Sequence, residues 1–194
     1  ILSVFITTLS ILICSLAGYG FIVFKSRAKE FWFSFILLSM MIPTSSLIIP
    51  LFKMFSSMGL LNTKVGVMLP SLSTAFLIFF FRQNTKSFPL ETIQAARIDG
   101  LGELGIFFKI FMPMMKSTYS AAIIITFMSS WNNYMWPLIS LQTTDQRTLP
   151  LLISSLGTAY TPDYGMIMVG IIITTIPSAL IFFLMQKSFV NSMM

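Results

Sequence analysis

Apolar residues run along this chain in long blocks, with the charged positions gathered between them. Five blocks are long enough to cross about 30 Å of hydrocarbon as helices. They are Ile1 to Phe24, Phe31 to about Leu51, about Val65 to Phe81, about Ser117 to Leu141, and Tyr164 to Met185. Helix is the predicted element, because an open sheet would leave its edge groups unpaired in lipid. The pattern therefore predicts an all-α, polytopic membrane protein. Pro43, Pro70 and Pro177 lie inside the second, third and fifth blocks. Each removes a backbone donor and bends its helix, serving either shape or a hinge. Residues 52–64 are too short and too polar to cross, and are predicted to lie along the outer surface. Residues 142–163 are long enough to reach a partner, and equally suited to being an ordinary connector.

Charge orients these spans. With the loop after the first block, the region 82–116 and the C-terminal tail facing the cytoplasm, that side holds Lys25, Arg27, Lys29, Arg82, Lys86, Arg97, Lys109, Lys116 and Lys187. The other side holds Lys53, Lys64 and Arg147. Nine against three is a clear positive-inside bias. It predicts an outside N-terminus, a cytoplasmic C-terminus and one further helix ahead of Ile1.

Composition narrows the chemistry. Hydrophobic residues make up 56% of the chain and charged residues 9%, against about 25% charged in soluble domains. There is no histidine and a single cysteine, Cys14, which excludes His-based nucleophile arrangements and Cys-based disulfide or metal frameworks. The net charge of +6 comes from basic residues scattered between spans, so membrane orientation explains it better than nucleic-acid binding. No Asp, Glu, Lys or Arg falls in the five span cores, which argues against an ion-coupled carrier, a voltage sensor or a charge-ringed channel. No phosphate-binding G-x-x-x-x-G-K-[ST] loop is present, so uphill transport would draw its energy from another subunit. "GLGELG", Gly100 to Gly105, spells G-x-G-x-x-G, but a predicted helix precedes it where the dinucleotide fold needs a strand.

Two stretches stand out. "PLETIQAARIDGLGELGIFFKIFMP", Pro89 to Pro113, concentrates five of the 18 charged residues in 25 positions. It reads as two short helices with a bend at Gly100. Pro89 and Glu91 suit the start of the first, and Gly102 and Glu103 that of the second. Such a projection fits either another protein's cleft or the lipid headgroups. "SSWNNYMWP", Ser129 to Pro137, sets Asn132 and Asn133 among Trp131, Tyr134 and Trp136. It suits either an outer aromatic belt with amides bonding neighbouring helices, or a polar lining for a sugar-like solute.

The first stretch resembles the cytoplasmic "EAA" loop of ABC-importer permeases: E-A-A, three residues, G, nine residues, I-x-L-P. Ala95 and Ala96 are followed by "RID", Gly100, nine residues, and then Ile110, Phe111, Met112 and Pro113. The departures are Gln94 for Glu and Met112 for Leu. "MIPTSSLIIPLFKMFSSMGLLNTKVGVMLP" and "WNNYMWPLI" look like the matching stretches of maltose-type sugar permeases. The resemblance implies a type I ABC importer permease helix bundle, with five visible spans of an expected six, in the bacterial cell membrane. It implies a catalytically inert subunit of a binding-protein-dependent sugar importer. ATP and Mg would be bound by a cytoplasmic ABC ATPase that docks on the loop through Glu91, Gln94, Ala95, Ala96, Asp99 and Gly100. Further implied partners are a second permease subunit and an extracytoplasmic solute-binding protein, which residues 142–163 could touch. Trp131, Asn132, Asn133 and Tyr134 are the candidate pathway lining for the carbohydrate. A secondary or passive carrier working without an ATPase is the alternative.

Overall fold

The computed structural model describes residues 1–24, 26–158 and 162–190, with side chains to residue 186. Lys25, residues 159–161 of the 142–163 segment and residues 191–194 of the tail lie outside the described residues. Every regular element among the described residues is helical. In chain order these are α1 (Leu2–Val23), α2 (Lys29–Ser39), α3 (Thr44–Ser57), α4 (Lys64–Met68) with a 3-10 turn, α5 (Ala75–Thr85), α6 (Leu90–Ile98), α7 (Glu103–Ile106) with a π turn, α8 (Met112–Met114), α9 (Lys116–Trp131), α10 (Met135–Ser140), α11 (Leu149–Gly157) and α12 (Tyr164–Val190).

Among the described residues, only α1 and the Tyr164–Gln186 part of α12 are unbroken, apolar and long enough to cross a membrane; three bent pairs bring the total to as many as five. The prolines act differently. Pro43 takes an extended conformation ahead of Thr44, and α2 and α3 meet there at 99°. Pro70 sits in the 3-10 turn Leu69–Ser71, before a 41° bend into α5. Pro177 lies inside continuous α12, as Pro50 lies inside α3. The second block therefore departs from its predicted form. The break comes at residues 40–43, and α3 continues through Leu51 and Phe52 to Ser57. Proline at 43 lacks the N–H for a helical bond and biases Ile42 away from helix, whereas nothing at Leu51 interrupts one.

Helix α1 packs on α5 and α9, α9 packs on α12, and α11 joins α12. The buried face of α1 is Ser3, Ile6, Thr7, Ser10, Ile11, Cys14, Ser15, Gly18 and Tyr19, with Val4, Phe5, Leu9 and Ile13 exposed. Small and hydroxylated residues thus make up most of the inward face, while many of the large apolar ones point outward. That follows from the solvent: lipid offers apolar side chains as good an environment as the core does, so close backbone packing decides the interface. At Gly18 the approach is tightest. A methyl group there would lie 2.6 Å from Phe81 Cβ and 2.8 Å from the Arg82 backbone nitrogen.

Beside this crossing, Arg82 is buried at the end of α5. Its Nη2 donates to both carboxylate oxygens of Glu30 at 2.7 Å, and its guanidinium lies 3.7 Å from the Phe33 ring centre. The pair ties the start of α2 to α5. On the opposite side Asn62, in the left-handed conformation, accepts hydrogen bonds from the Gln142 and Thr143 amides. The Trp136 indole donates to the Gly66 carbonyl at 2.9 Å. These bonds join the α3–α4 turn to α10 and the segment after it.

Gly18→Ala is expected to destabilise the fold by about 1–3 kcal/mol, because the helices must separate to admit the methyl group. Gly20→Ala, where the nearest atom lies 4.0 Å from the added carbon, should be neutral or stabilise by up to about 1 kcal/mol. Unfolding of the two variants in mixed micelles by SDS titration compares them; equal stabilities would contradict the close crossing.

Candidate functional site

The charged stretch folds as the two bent helices its glycines predict. Helix α6 begins after Pro89 with Glu91 in its first turn, and it ends at Gly100, whose φ is +83°. Left-handed backbone suits glycine and reverses the chain. The Gly100 amide donates to the Arg97 carbonyl at 3.1 Å and the Leu101 amide to the Ala96 carbonyl at 3.0 Å. These two bonds form a Schellman motif, which satisfies the last carbonyls of α6. Gly102 then caps α7, and a π turn at Phe107–Phe111 follows. After α8 the chain turns by 84° into α9. The "GLGELG" stretch is thus the joint between two helices.

Helix α6 has two faces. Ile93 and Ala96, three positions apart, are buried in a cluster with Ile106, Phe107 and Phe111 that also contains Tyr19 of α1 and Phe81 of α5. Glu91, Gln94, Ala95 and Ile98 lie on the outward face, followed by exposed Asp99 and Gly100. Ile98 is 87% exposed, and nearby Leu104 is 68% exposed. Five of the six loop residues singled out from the sequence are therefore available to a partner. Ala96 differs: it is 5% exposed and packs against the chain's own core. Helical spacing puts it on the Ile93 side, so its small size serves packing within this chain. Ile98 was missed; the sequence signal was an isoleucine in register with Glu91 and Ala95 on a charged loop.

Polar contacts hold the two helices together. Arg97 Nε donates to Glu103 Oε1 at 2.6 Å, and the Tyr19 hydroxyl donates to Glu103 Oε2 at 3.1 Å. The Tyr19 ring meets Phe111 and Phe107 edge-on, at 4.9 and 5.5 Å between centroids. The Arg97 hydrogen bond foremost, helped by that of Tyr19, holds the Glu103 carboxyl below its ordinary range despite some desolvation.

The "SSWNNYMWP" stretch divides its labour. Trp131 Nε1 donates to the Thr174 carbonyl of α12 at 2.9 Å, and the Tyr134 hydroxyl lies 3.1 Å from that of Ser154 in α11. Both residues fasten helices to one another. Asn132 donates back to the Met128 carbonyl. Asn133 faces a cavity of about 100 Å³ bordered by Ser71, Thr74, Thr126, Ser129 and Ser130. The break Asn132–Tyr134 between α9 and α10 turns it there, beside the break between α4 and α5.

Glu103 also sets a pH dependence. Its carboxyl is lowered in the fold, so the stabilisation is complete above the unfolded value of about 4.3. It is lost as pH falls through the lower folded value. Amide exchange at Ile106 and Phe107, which donate to the Gly102 and Glu103 carbonyls, should keep its protection from neutral pH down to about pH 5 and lose part of it under stronger acid, whereas Glu103→Gln should show no such step.

The profile described as "Binding-protein-dependent transport system inner membrane component" matches residues 10–194. The lactose transport system permease protein LacG of Rhizobium radiobacter is 51% identical over 188 residues, spanning 97% of this chain and 69% of that protein. The arabinooligosaccharides transport system permease protein AraQ of Bacillus subtilis is 36% identical over 193 residues, spanning 100% of this chain and 69% of that one. A solved bacterial ABC transporter involved in the import of the acidic polysaccharide alginate shares the fold, with a TM-score of 0.78 and 22% identity over 97% of this chain and 73% of that chain. This chain belongs to the family of binding-protein-dependent transport system inner membrane components.

Proposed function

We propose that the chain is a membrane-spanning permease subunit of an ATP-driven sugar importer, and that the outward face of α6 is where a cytoplasmic ATPase subunit docks. The observation that carries this is the two-sided peg. Its outer face exposes Ile98 between charged neighbours, while its inner face is continuous with the packing of α1 and α5. Exposed apolar side chains rimmed by charge mark contact sites for protein or membrane, and the likeness of this loop to the docking loop of ABC-importer permeases favours a protein. The names of the lactose and arabinooligosaccharide relatives support a carbohydrate as the solute.

In this reading ATP and Mg are bound and ATP hydrolysed by the partner, and this chain carries no catalytic residue. The loop and C-terminus face the cytoplasm, with Ile1 on the outer side, as the positive-inside count implies. A second permease subunit completes the pathway, and a solute-binding protein delivers the sugar near residues 142–163. Asn133 and the hydroxyls of Thr126, Ser129 and Ser130 suit sugar hydroxyls, because each both donates and accepts hydrogen bonds. ATP binding draws the ATPase subunits together and thereby favours one of two permease conformations; only such differential affinity can shift the equilibrium. A carrier acting without an ATPase has no use for this face, and no observation favours it.

Ile98→Glu places a charge where an apolar contact of about 1.5–3 kcal/mol is expected. Copurification of the ATPase and ATP-dependent uptake of radiolabelled lactose should both fall at least about tenfold. Met58→Glu, also at an exposed apolar position but in the segment 52–64, should leave the ATPase bound. Full ATPase retention by the Ile98 variant would contradict docking at this face.

A further inference from the structure

One carboxylate joins three elements. Glu103 begins α7, Arg97 ends α6, and Tyr19 lies near the cytoplasmic end of α1; the two donors reach different oxygens of the same side chain. The Tyr19 ring is 3% exposed and sits among Phe107 and Phe111, so its hydroxyl has a fixed position to donate from. Arg97 and Glu103 are 38% and 39% exposed in their side chains. A pair that open to water adds little to stability, so its geometric role outweighs its energetic one.

The surrounding contacts explain why that geometry matters. Ile93, Ala96, Ile106 and Phe107 meet Tyr19 through apolar surface, and such contact is non-directional. A hydrogen bond to a carboxylate oxygen is shorter, stronger and directional. Among the described contacts, the Tyr19–Glu103 bond is the directional one between the bent loop and α1. Helix α1 in turn crosses α5 at Gly18, one residue away.

We propose that Glu103 is the positioning residue of the loop: by accepting from Arg97 and Tyr19 together it makes α6, α7 and the inner end of α1 one body, so that displacement of the docked face carries α1 with it. This rests on the reading of the α6 face as the ATPase-docking surface. Glu103 itself lies on the inner side of the joint and acts after docking. Removal of its carboxylate leaves Ile98, Gln94 and Glu91 in place to hold the ATPase, and leaves Tyr19 packed between aromatic rings. What is lost is the transfer of movement from α7 to α1.

The test follows that transfer in the assembled complex, in lipid nanodiscs with its ATPase, second permease and binding protein. Spin labels at Ser87→Cys, beside the loop, and at Thr8→Cys, on the exposed side of α1, report each part's displacement when a non-hydrolysable ATP analogue is added. In the otherwise native complex both labels should shift. In Glu103→Ala and in Tyr19→Phe the Ser87 label should still shift while the Thr8 shift falls at least about fivefold, a loss within the usual range of coupling between sites. The double variant should be no worse than either single one, since both remove the same bond. Glu103→Asp, which keeps the carboxylate, should restore part of the α1 shift. Equal α1 shifts in native and Glu103→Ala complexes would overturn the assignment. So would loss of the Ser87 shift in the variant, which would make Glu103 part of the docking surface. If the native complex shows no shift at Ser87, the docking reading itself fails, a separate result.

Discussion

Everything around the bent loop depends on how near α1 comes to α5. The absence of a side chain at Gly18 lets the α1 backbone rest on Phe81 and Arg82. That approach sets Tyr19 beside Phe107 and Phe111. It also places Arg82 beneath Phe21 and Phe33, where it meets Glu30. A bulkier interface would move the first helix away from both the loop and the second span. In lipid, where apolar side chains gain little by turning inward, such close backbone contacts do what hydrophobic burial does in water.

The bent loop is stiff for reasons that operate at different ranges. Its joint is local: one left-handed glycine and two backbone hydrogen bonds end α6, and Gly102 begins α7. Its footing is distant, in the cluster where Ile93 and Ala96 meet residues of α1, α5 and α9. Stiffness matters because a projection that flexed would absorb displacement imposed on its tip. An outer face with Ile98 exposed and an inner face buried at Ile93 and Ala96 suit a device that passes movement on.

The aromatic and amide stretch after α9 shows why residue type alone does not assign a role. Trp131 and Tyr134 have the polar tips expected of pathway residues, yet both tips bond to neighbouring helices. Asn133, between Asn132 and Tyr134, faces a cavity instead. The helix break at Asn132–Tyr134 makes the difference, since it rotates adjacent side chains out of helical register. The 99° turn at Pro43 has the same character. The proline forecasts a break, but the direction and size of the turn belong to the contacts of α3 with α10.

The membrane class, the helical content, the apolar blocks and the bent loop with its glycine joint were legible in the amino-acid sequence. Each depends on block length or on the backbone preferences of a few adjacent residues. The family resemblance was legible too, in the spacing from Ala95 to Pro113. Only the tertiary structure decided that Ala96 faces inward and Ile98 outward, that Arg82 meets Glu30, and that Glu103 accepts from Tyr19. That last bond spans 84 positions. Partners so far apart are chosen by how helices cross, and the crossing at Gly18 is set by the shape of two surfaces that neither segment carries alone.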